Sequence, residues 1–262
     1  MKHKVKVMGI LNITPDSFYS KSTATINTEI ERALDNMKKS DIIDIGCESS
    51  RPGASSISIE EEINRLSNFV PFIKNYPNLR FSIDTYKYDV AKFALSNGFD
   101  IVNDITGGED TKLLELISEM NASIIIMHML GKPQTMQNSP TYIDVVNDII
   151  HFLNKRANNA ISCGIQRDNI YIDPGIGFGK TIFHNDEIVR NIQKFKEIGY
   201  AVVYGISRKS FLQYESDTPD DRLPATLGVS SYLAQNKVDI LRTHDVDATI
   251  SMLSSLERIV NY

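Results

Sequence analysis

In Ser123-Ile124-Ile125-Ile126-Met127 the last four residues are an unbroken apolar run, and the loop-like stretch His128–Gln137, with Gly131 and Pro133, follows it. A run that is apolar throughout, not alternating, suits a strand buried on both faces, as in a parallel sheet. Past the loop, Ile143–Ser162 carries a helical pattern, and Ile170–Ile172 is the next short apolar run. Strand, loop, helix and strand make the unit from which parallel sheets are built.

The unit repeats outward in both directions. Further strands are expected at Val5–Leu11, Ile42–Ile45, Arg80–Ile83, Asp100–Asn103, Ala201–Gly205 and Asp239–Leu241. Helices are expected at Thr28–Lys38, Ile59–Ile73, Tyr88–Ser96, Thr111–Met120, Asn185–Ile198, Pro224–Gln235 and Val246–Val260. In the second of these, Ile59, Ile63, Leu66, Val70 and Ile73 recur every three or four residues. Ser58, with Glu61 three residues on, predicts a capping box. Eight such repeats predict an α/β chain folded as a single (β/α)8 TIM barrel, with its active site at the C-terminal face of the parallel strands. A doubly wound open sheet is the alternative. No linker or shift in composition divides residues 1–262, so one domain is expected, and 262 residues suit one barrel.

Composition narrows the function classes. A hydrophobic fraction of 42% with 23% charged residues is an ordinary globular balance. The formal net charge of −5 argues against a dedicated binder of nucleic acid or anionic membrane. The only cysteines, Cys47 and Cys163, rule out a disulfide scaffold and point to a reducing compartment. No apolar run approaches a membrane span of ~18 residues. The start, Met1–Leu11, has no small-residue cleavage site, so no signal peptide is read there and the expected address is the cytoplasm.

Polar, Gly-rich and Pro-rich segments cluster just after the strands, the face on which barrel enzymes do their chemistry. Asp44, Asp84 and Asp173 end strands, and Asn103-Asp104 end another. One such carboxylate is usually a helix cap; several at one mouth repel unless N–H donors or cations sit among them. No tight His/Cys/Asp spacing suggests a protein-built metal cage. Arg51, Arg208, Lys209, Arg242 and His244 stand on the same rim, and loops after the last two strands of such barrels often bind phosphate. Gly175-Ile176-Gly177-Phe178-Gly179-Lys180 has neither the spacing of a nucleotide P-loop nor that of a dinucleotide fingerprint. Its alternating glycines suggest backbone close to a ligand, with Phe178 able to pack on something flat. His128 reads as a satisfied semi-buried histidine. Cys47 has no base specified near it and is not read as a nucleophile.

Taken in order, these segments resemble dihydropteroate synthases. The resemblance rests on Met8–Phe18, Asp44–Ala54, Ser82-Ile83-Asp84-Thr85, Asn103-Asp104-Ile105, Met127–Gln137, Asp173–Lys180, Ser207–Phe211 and Arg242–Val246. It implies that 4-aminobenzoate displaces pyrophosphate from 6-hydroxymethyl-7,8-dihydropterin diphosphate, giving 7,8-dihydropteroate for folate synthesis, and that sulfonamides compete with aminobenzoate. It also implies a homodimer, through Pro224–Gln235 and Val246–Val260, and Mg²⁺ at Asn12. On this resemblance the pterin is held by Asp84, Asn103, Ile105, Met127, Asp173, Lys209 and Arg242, and the diphosphate by Asn12, Arg51, Arg242 and His244. Aminobenzoate is expected among Ser50, Arg51, Pro52, Phe178, Lys180 and Ser207. Asp44, Asp84, Lys209 and Asn12 carry the chemistry, a dissociative loss of pyrophosphate that needs no side-chain nucleophile.

The chain departs from that pattern in places. Tyr19-Ser20-Lys21-Ser22 stands where the family often has Ser-Asp-Gly-Gly, Cys47 where it often has Gly, and Ser50 where it usually has Thr. Met37-Lys38-Lys39-Ser40 lacks a common Gly-Ala pair. Two other readings compete: a non-catalytic pterin-binding paralogue and a methyltetrahydrofolate:corrinoid methyltransferase.

Overall fold

The computed structural model describes residues 5–13, 23–48, 56–214 and 218–260. Its strands are β1 (Lys6–Asn12), β2 (Ile42–Gly46), β3 (Arg80–Asp84), β4 (Ile101–Asp104), β5 (Ser123–Met127), β6 (Ile170–Asp173), β7 (Ala201–Gly205) and β8 (Ile240–Thr243). All pair in parallel, and β8 returns to β1, so the eight close into a barrel in chain order. Every expected strand is present, and the open-sheet alternative is excluded.

Alternation along each strand decides which way a residue faces. Met8, Ile42, Ile101, Ile125, Tyr171, Val203 and Ile240 form one buried cluster inside the barrel. Their chain neighbours, among them Val7, Ile43, Val102, Ile124, Ile126, Ile170 and Ile172, belong to the larger cluster beneath the helices. Both faces are apolar because both are covered, which is why the runs looked continuous in the sequence. At the N-terminal end, Arg80 donates to the Tyr171 hydroxyl at 3.1 Å and to Ser123 Oγ at 3.2 Å.

The helices are α1 (Thr23–Met37), α2 (Ile59–Ser67), α3 (Val70–Ile73), α4 (Tyr88–Ser96), α5 (Thr111–Glu119), α6 (Val145–Ser162), α7 (Ile182–Arg190), α8 (Ile192–Lys196), α9 (Leu223–Gln235) and α10 (Val246–Val260). Two expected helices are broken. Pro71, in the first turn of α3, has no N–H for the Ser67 carbonyl, so the periodic stretch Ile59–Ile73 divides there. The stretch expected at Asn185–Ile198 divides at Asn191. It starts earlier than expected because Thr181 and His184 form a reciprocal capping box. Only half of the box expected at α2 is made. Ser58 Oγ accepts from the Glu61 amide at 3.2 Å, while the Glu61 carboxylate pairs with Arg65 at 2.8 Å.

Candidate active site

Asp44 is two residues on from Ile42 in β2 and therefore faces the barrel interior, where it has no exposed surface. Its Oδ2 accepts from Arg242 Nε at 2.7 Å and from Asn103 Nδ2 at 3.0 Å. Arg242 Nη2 lies 2.6 Å from the same oxygen and 2.9 Å from Asp84 Oδ2. Strands β2, β3, β4 and β8 thus meet in one network at the C-terminal mouth. Asp44 Oδ1 is buried and has no hydrogen-bond partner among the described residues. Burial pushes the Asp84 carboxyl up to about 7; Arg242 opposes the rise, and the Asp44 charge adds to it. Burial also works against the charge of Arg242, but Asp44 and Asp84 outweigh it and hold the guanidinium above its ordinary range.

Across the barrel, Asp173 ends β6 opposite Met127 in register. Its Oδ1 accepts from the Gly175 amide at 2.7 Å. Burial raises this carboxyl too, against the charges of Lys209, Arg242 and Lys180. Lys209 Nζ donates to the Ile176 carbonyl and stands 4.6 Å from the centre of the Phe178 ring. Burial lowers its ammonium to about 8, although Asp173 and Asp84 favour the charge. Ile105 and Met127, 6% and 4% exposed, supply apolar wall. A cavity of about 500 Å³ opens beside Asp84 and Ile105 and reaches Lys132 and Arg156.

The Gly-rich turn after β6 is shaped by close approach. Gly175 has φ +69°, and a Cβ there would lie 1.9 Å from the His128 carbonyl oxygen. Lys180 points inward: its Nζ lies 3.0 Å from His128 Nδ1, 3.3 Å from the His128 carbonyl and 2.9 Å from the Phe178 carbonyl. Only 3% of Lys180 is exposed, and burial drives its pKa well down. Here Lys180 ties the loops after β5 and β6 together. His128 is buried as expected, and burial, with the Lys180 charge, lowers its pKa to about 2, leaving a neutral ring.

After the last two strands, Ser207 Oγ accepts from the His244 amide at 3.1 Å and sits 3.0 Å from His244 Nδ1. Arg208 turns aside to Asp245, with contacts of 2.9 and 2.6 Å, and also meets Asp220. Asn12, half-buried at the end of β1, leans over Gly46, where a Cβ would stand 3.0 Å from its Oδ1. Asn103 and Asp104 part company. Asn103 faces inward, whereas Asp104 accepts from the Thr106 amide at 2.7 Å and the Gly108 amide at 2.9 Å, organising the next turn. Ser50, Arg51 and Pro52 lie outside the described residues. Cys47 has no exposed surface, and burial pushes its thiol far up, which fits no nucleophile.

The family model described as "Pterin binding enzyme" matches residues 8–244. A dihydropteroate synthase of Haemophilus influenzae is 38% identical over 98% of this chain and 94% of its own length. The solved Xanthomonas albilineans dihydropteroate synthase with 4-aminobenzoic acid superposes with a TM-score of 0.90 at 30% identity, covering 99% of this chain and 94% of that one. The chain belongs to the dihydropteroate synthase family. A Clostridium difficile member, solved in the presence of pteroic acid, gives a TM-score of 0.89 at 34% identity, covering 99% and 98% of the two chains.

Two features of this family member escaped the sequence reading. Gly205 ends β7 on the inward side, and a Cβ there would stand 3.9 Å from Arg242 and 4.0 Å from Asp173 Oδ2. Its missing side chain leaves open space between those two groups. Asn185, buried in α7, accepts from the Gly177 amide at 2.8 Å and so fixes the Gly-rich turn. Strand parity would have found Gly205; Asn185 carries no local signal.

Proposed function

We propose that the chain condenses 6-hydroxymethyl-7,8-dihydropterin diphosphate with 4-aminobenzoate, giving 7,8-dihydropteroate and pyrophosphate. As a member of its family the chain is a transferase, with a role in folate synthesis. The observation that carries the residue assignments is the inward ring of Asp44, Asp84, Asn103 and Asp173, with Arg242 and Lys209 set among them. An aminopyrimidinone edge offers N–H donors and a carbonyl, so Asp84, Asn103 and Asp173 receive the donors and Lys209 serves the acceptor side. Buried partners of this kind reject ligands that leave them unpaired. Ile105 and Met127 border the ring, and the Arg242 guanidinium offers it a flat face.

In the reaction, the bond from the pterin methylene carbon to the diphosphate oxygen breaks, and its electron pair leaves with the diphosphate. The positive charge left on the pterin falls to Asp44. Oδ2 of that carboxylate is fixed by Arg242 and Asn103, so Oδ1 is held in place with no partner among the described residues. Such preorganised charge needs no rearrangement at the moment of reaction. The amine nitrogen of aminobenzoate then bonds to the methylene carbon and sheds a proton. Ser207 and Phe178 border the aminobenzoate, and Lys180 shapes that border from beneath. His244 and Arg242 face the diphosphate.

Asn12 brings one neutral oxygen to the mouth. That suits Mg²⁺, which keeps most of its waters and takes its other ligands from substrate phosphates. Among the described residues no group of three His, Cys, Asp or Glu could cage an ion. When bound, the ion offsets the charge of the diphosphate. The same reading makes the chain a cytoplasmic homodimer through α9 and α10, supported by exposed Tyr232, Ile259 and Val260.

The test is pyrophosphate release from the dihydropterin diphosphate with Mg²⁺, with and without 4-aminobenzoate. Release that depends on aminobenzoate and yields dihydropteroate is expected. Pterin binding without product would overturn the reading in favour of a binding paralogue or a methyltransferase.

A further inference from the structure

Outside the ring of pterin acceptors, one half-buried ammonium joins the loops after β2 and β3. Lys87 Nζ lies 2.7 Å from Glu48 Oε2, 2.7 Å from Glu62 Oε2 and 2.8 Å from the Ile57 carbonyl oxygen. Glu48 Oε1 in turn accepts from the Ile57 amide at 3.0 Å. Residues 48 and 57 are therefore held together twice, once directly and once through Lys87. Lys87 and Glu48 are 12% exposed and Glu62 is 1% exposed, so these charges meet at low dielectric. The anchor is itself set, because the Lys87 amide donates to Thr85 Oγ1 at 3.3 Å, one residue after Asp84. Glu48, Thr85 and Asp84 share the wall of the same cavity.

We infer that Lys87 and Glu48 form a positioning clamp for the aminobenzoate half of the reaction, resting on the function proposed above. Nothing about Lys87 requires contact with substrate. Its ammonium fixes the two points from which the chain departs toward Ser50, Arg51 and Pro52 and to which it returns. It also ties those points to the strand end that carries Asp84. The purpose is registry between two half-sites: one loop serves the pterin, its neighbour serves the amine, and the clamp sets the distance between them. Misplacement of about 1 Å between reacting groups is enough to cost large factors in rate. The charge count supports a clamp over a simple filler. Two carboxylates share one ammonium, and burial raises the Glu62 carboxyl, against the pull of Lys87.

The experiment is steady-state kinetics of the full chain with saturating dihydropterin diphosphate and varied 4-aminobenzoate. Binding of 6-hydroxymethyl-7,8-dihydropterin is measured beside it by calorimetry. Glu48→Ala leaves Lys87 paired with Glu62, so no buried charge is stranded and the barrel folds. We expect its aminobenzoate KM to rise about tenfold while the pterin Kd stays within about twofold, and Glu48→Gln to recover part of the loss by keeping an oxygen for the Ile57 amide. Lys87→Met gives the same split where it folds. An unchanged KM in Glu48→Ala, or a pterin Kd that rises as far as the KM, overturns the clamp. Absence of turnover in the unaltered chain would instead overturn the proposed function, which keeps the two failures apart.

Discussion

Arg242 Nη2 stands 2.6 Å from Asp44 Oδ2 and 2.9 Å from Asp84 Oδ2, so one guanidinium holds two inward carboxylates apart. Removing it by Arg242→Met strands both acids in a buried site, a change that typically costs about 3–5 kcal/mol. Urea unfolding is expected to show a loss of that size, and turnover to fall with it. Arg242→Lys keeps the charge but not the fork, and its stability should lie between the two.

Asp84 and Lys209 set the pH response. The Asp84 carboxyl sits near 7 in the fold against an ordinary value of 3.8, so the folded chain holds this proton more tightly than the unfolded one. This group therefore favours folding at low pH, and its contribution is lost as pH rises through about 7. Pterin binding runs the other way, because accepting N–H donors needs the ionised acid. The pterin Kd is expected to tighten as pH rises through about 7, then weaken beyond about 8 as Lys209 loses its proton. Calorimetry across pH 5.5–9, a range chosen around both side chains, should show the first limb vanish in Asp84→Asn. A first limb that persists in this variant removes Asp84 from the pterin site.

Lys209→Ala is expected to fold normally and to lose turnover by orders of magnitude, on the order of 10² or more for a group that stabilises charge at the reacting centre. Thermal melts paired with initial rates check both halves. Near-native rates would show that Lys209 does not serve the pterin.

Two glycines make opposite predictions. Gly175→Ala meets the His128 carbonyl at 1.9 Å in a left-handed backbone, a conformation that alone costs about 1–3 kcal/mol. A large drop in Tm should follow. Gly205→Ala meets nothing closer than 3.9 Å, so its Tm should hold. Gly205→Val extends into the space between Arg242 and Asp173 and should weaken pterin binding at little cost in stability.

Local chemistry explains how much could be read beforehand. The strands were legible because burial on both faces makes runs such as 124–127 apolar throughout. The inward residues at the strand ends were legible as candidates because polar groups there break those runs. Which of two adjacent polar groups enters the mouth was not: Asn103 and Asp104 look alike in the chain, and only strand parity separates an inward residue from a turn organiser. The inward course of Lys180 was not legible either, because carbonyls of His128 and Phe178, one distant and one near in sequence, draw it in. Lys87, Glu48 and Glu62 carry no joint signal, because the ion pairs link positions up to 39 residues apart.

The apolar layer of Met8, Ile42, Ile101, Ile125, Tyr171, Val203 and Ile240 seals the barrel beneath the acidic ring, with Arg80 across its floor. The vessel is therefore closed at one end, and traffic through it is two-way over a single rim. On the proposed reaction, the departing pyrophosphate leaves by the same opening that admits aminobenzoate, and the finished pteroate backs out as it came. On that reading, retention of the pterin between those two passages falls to the rim.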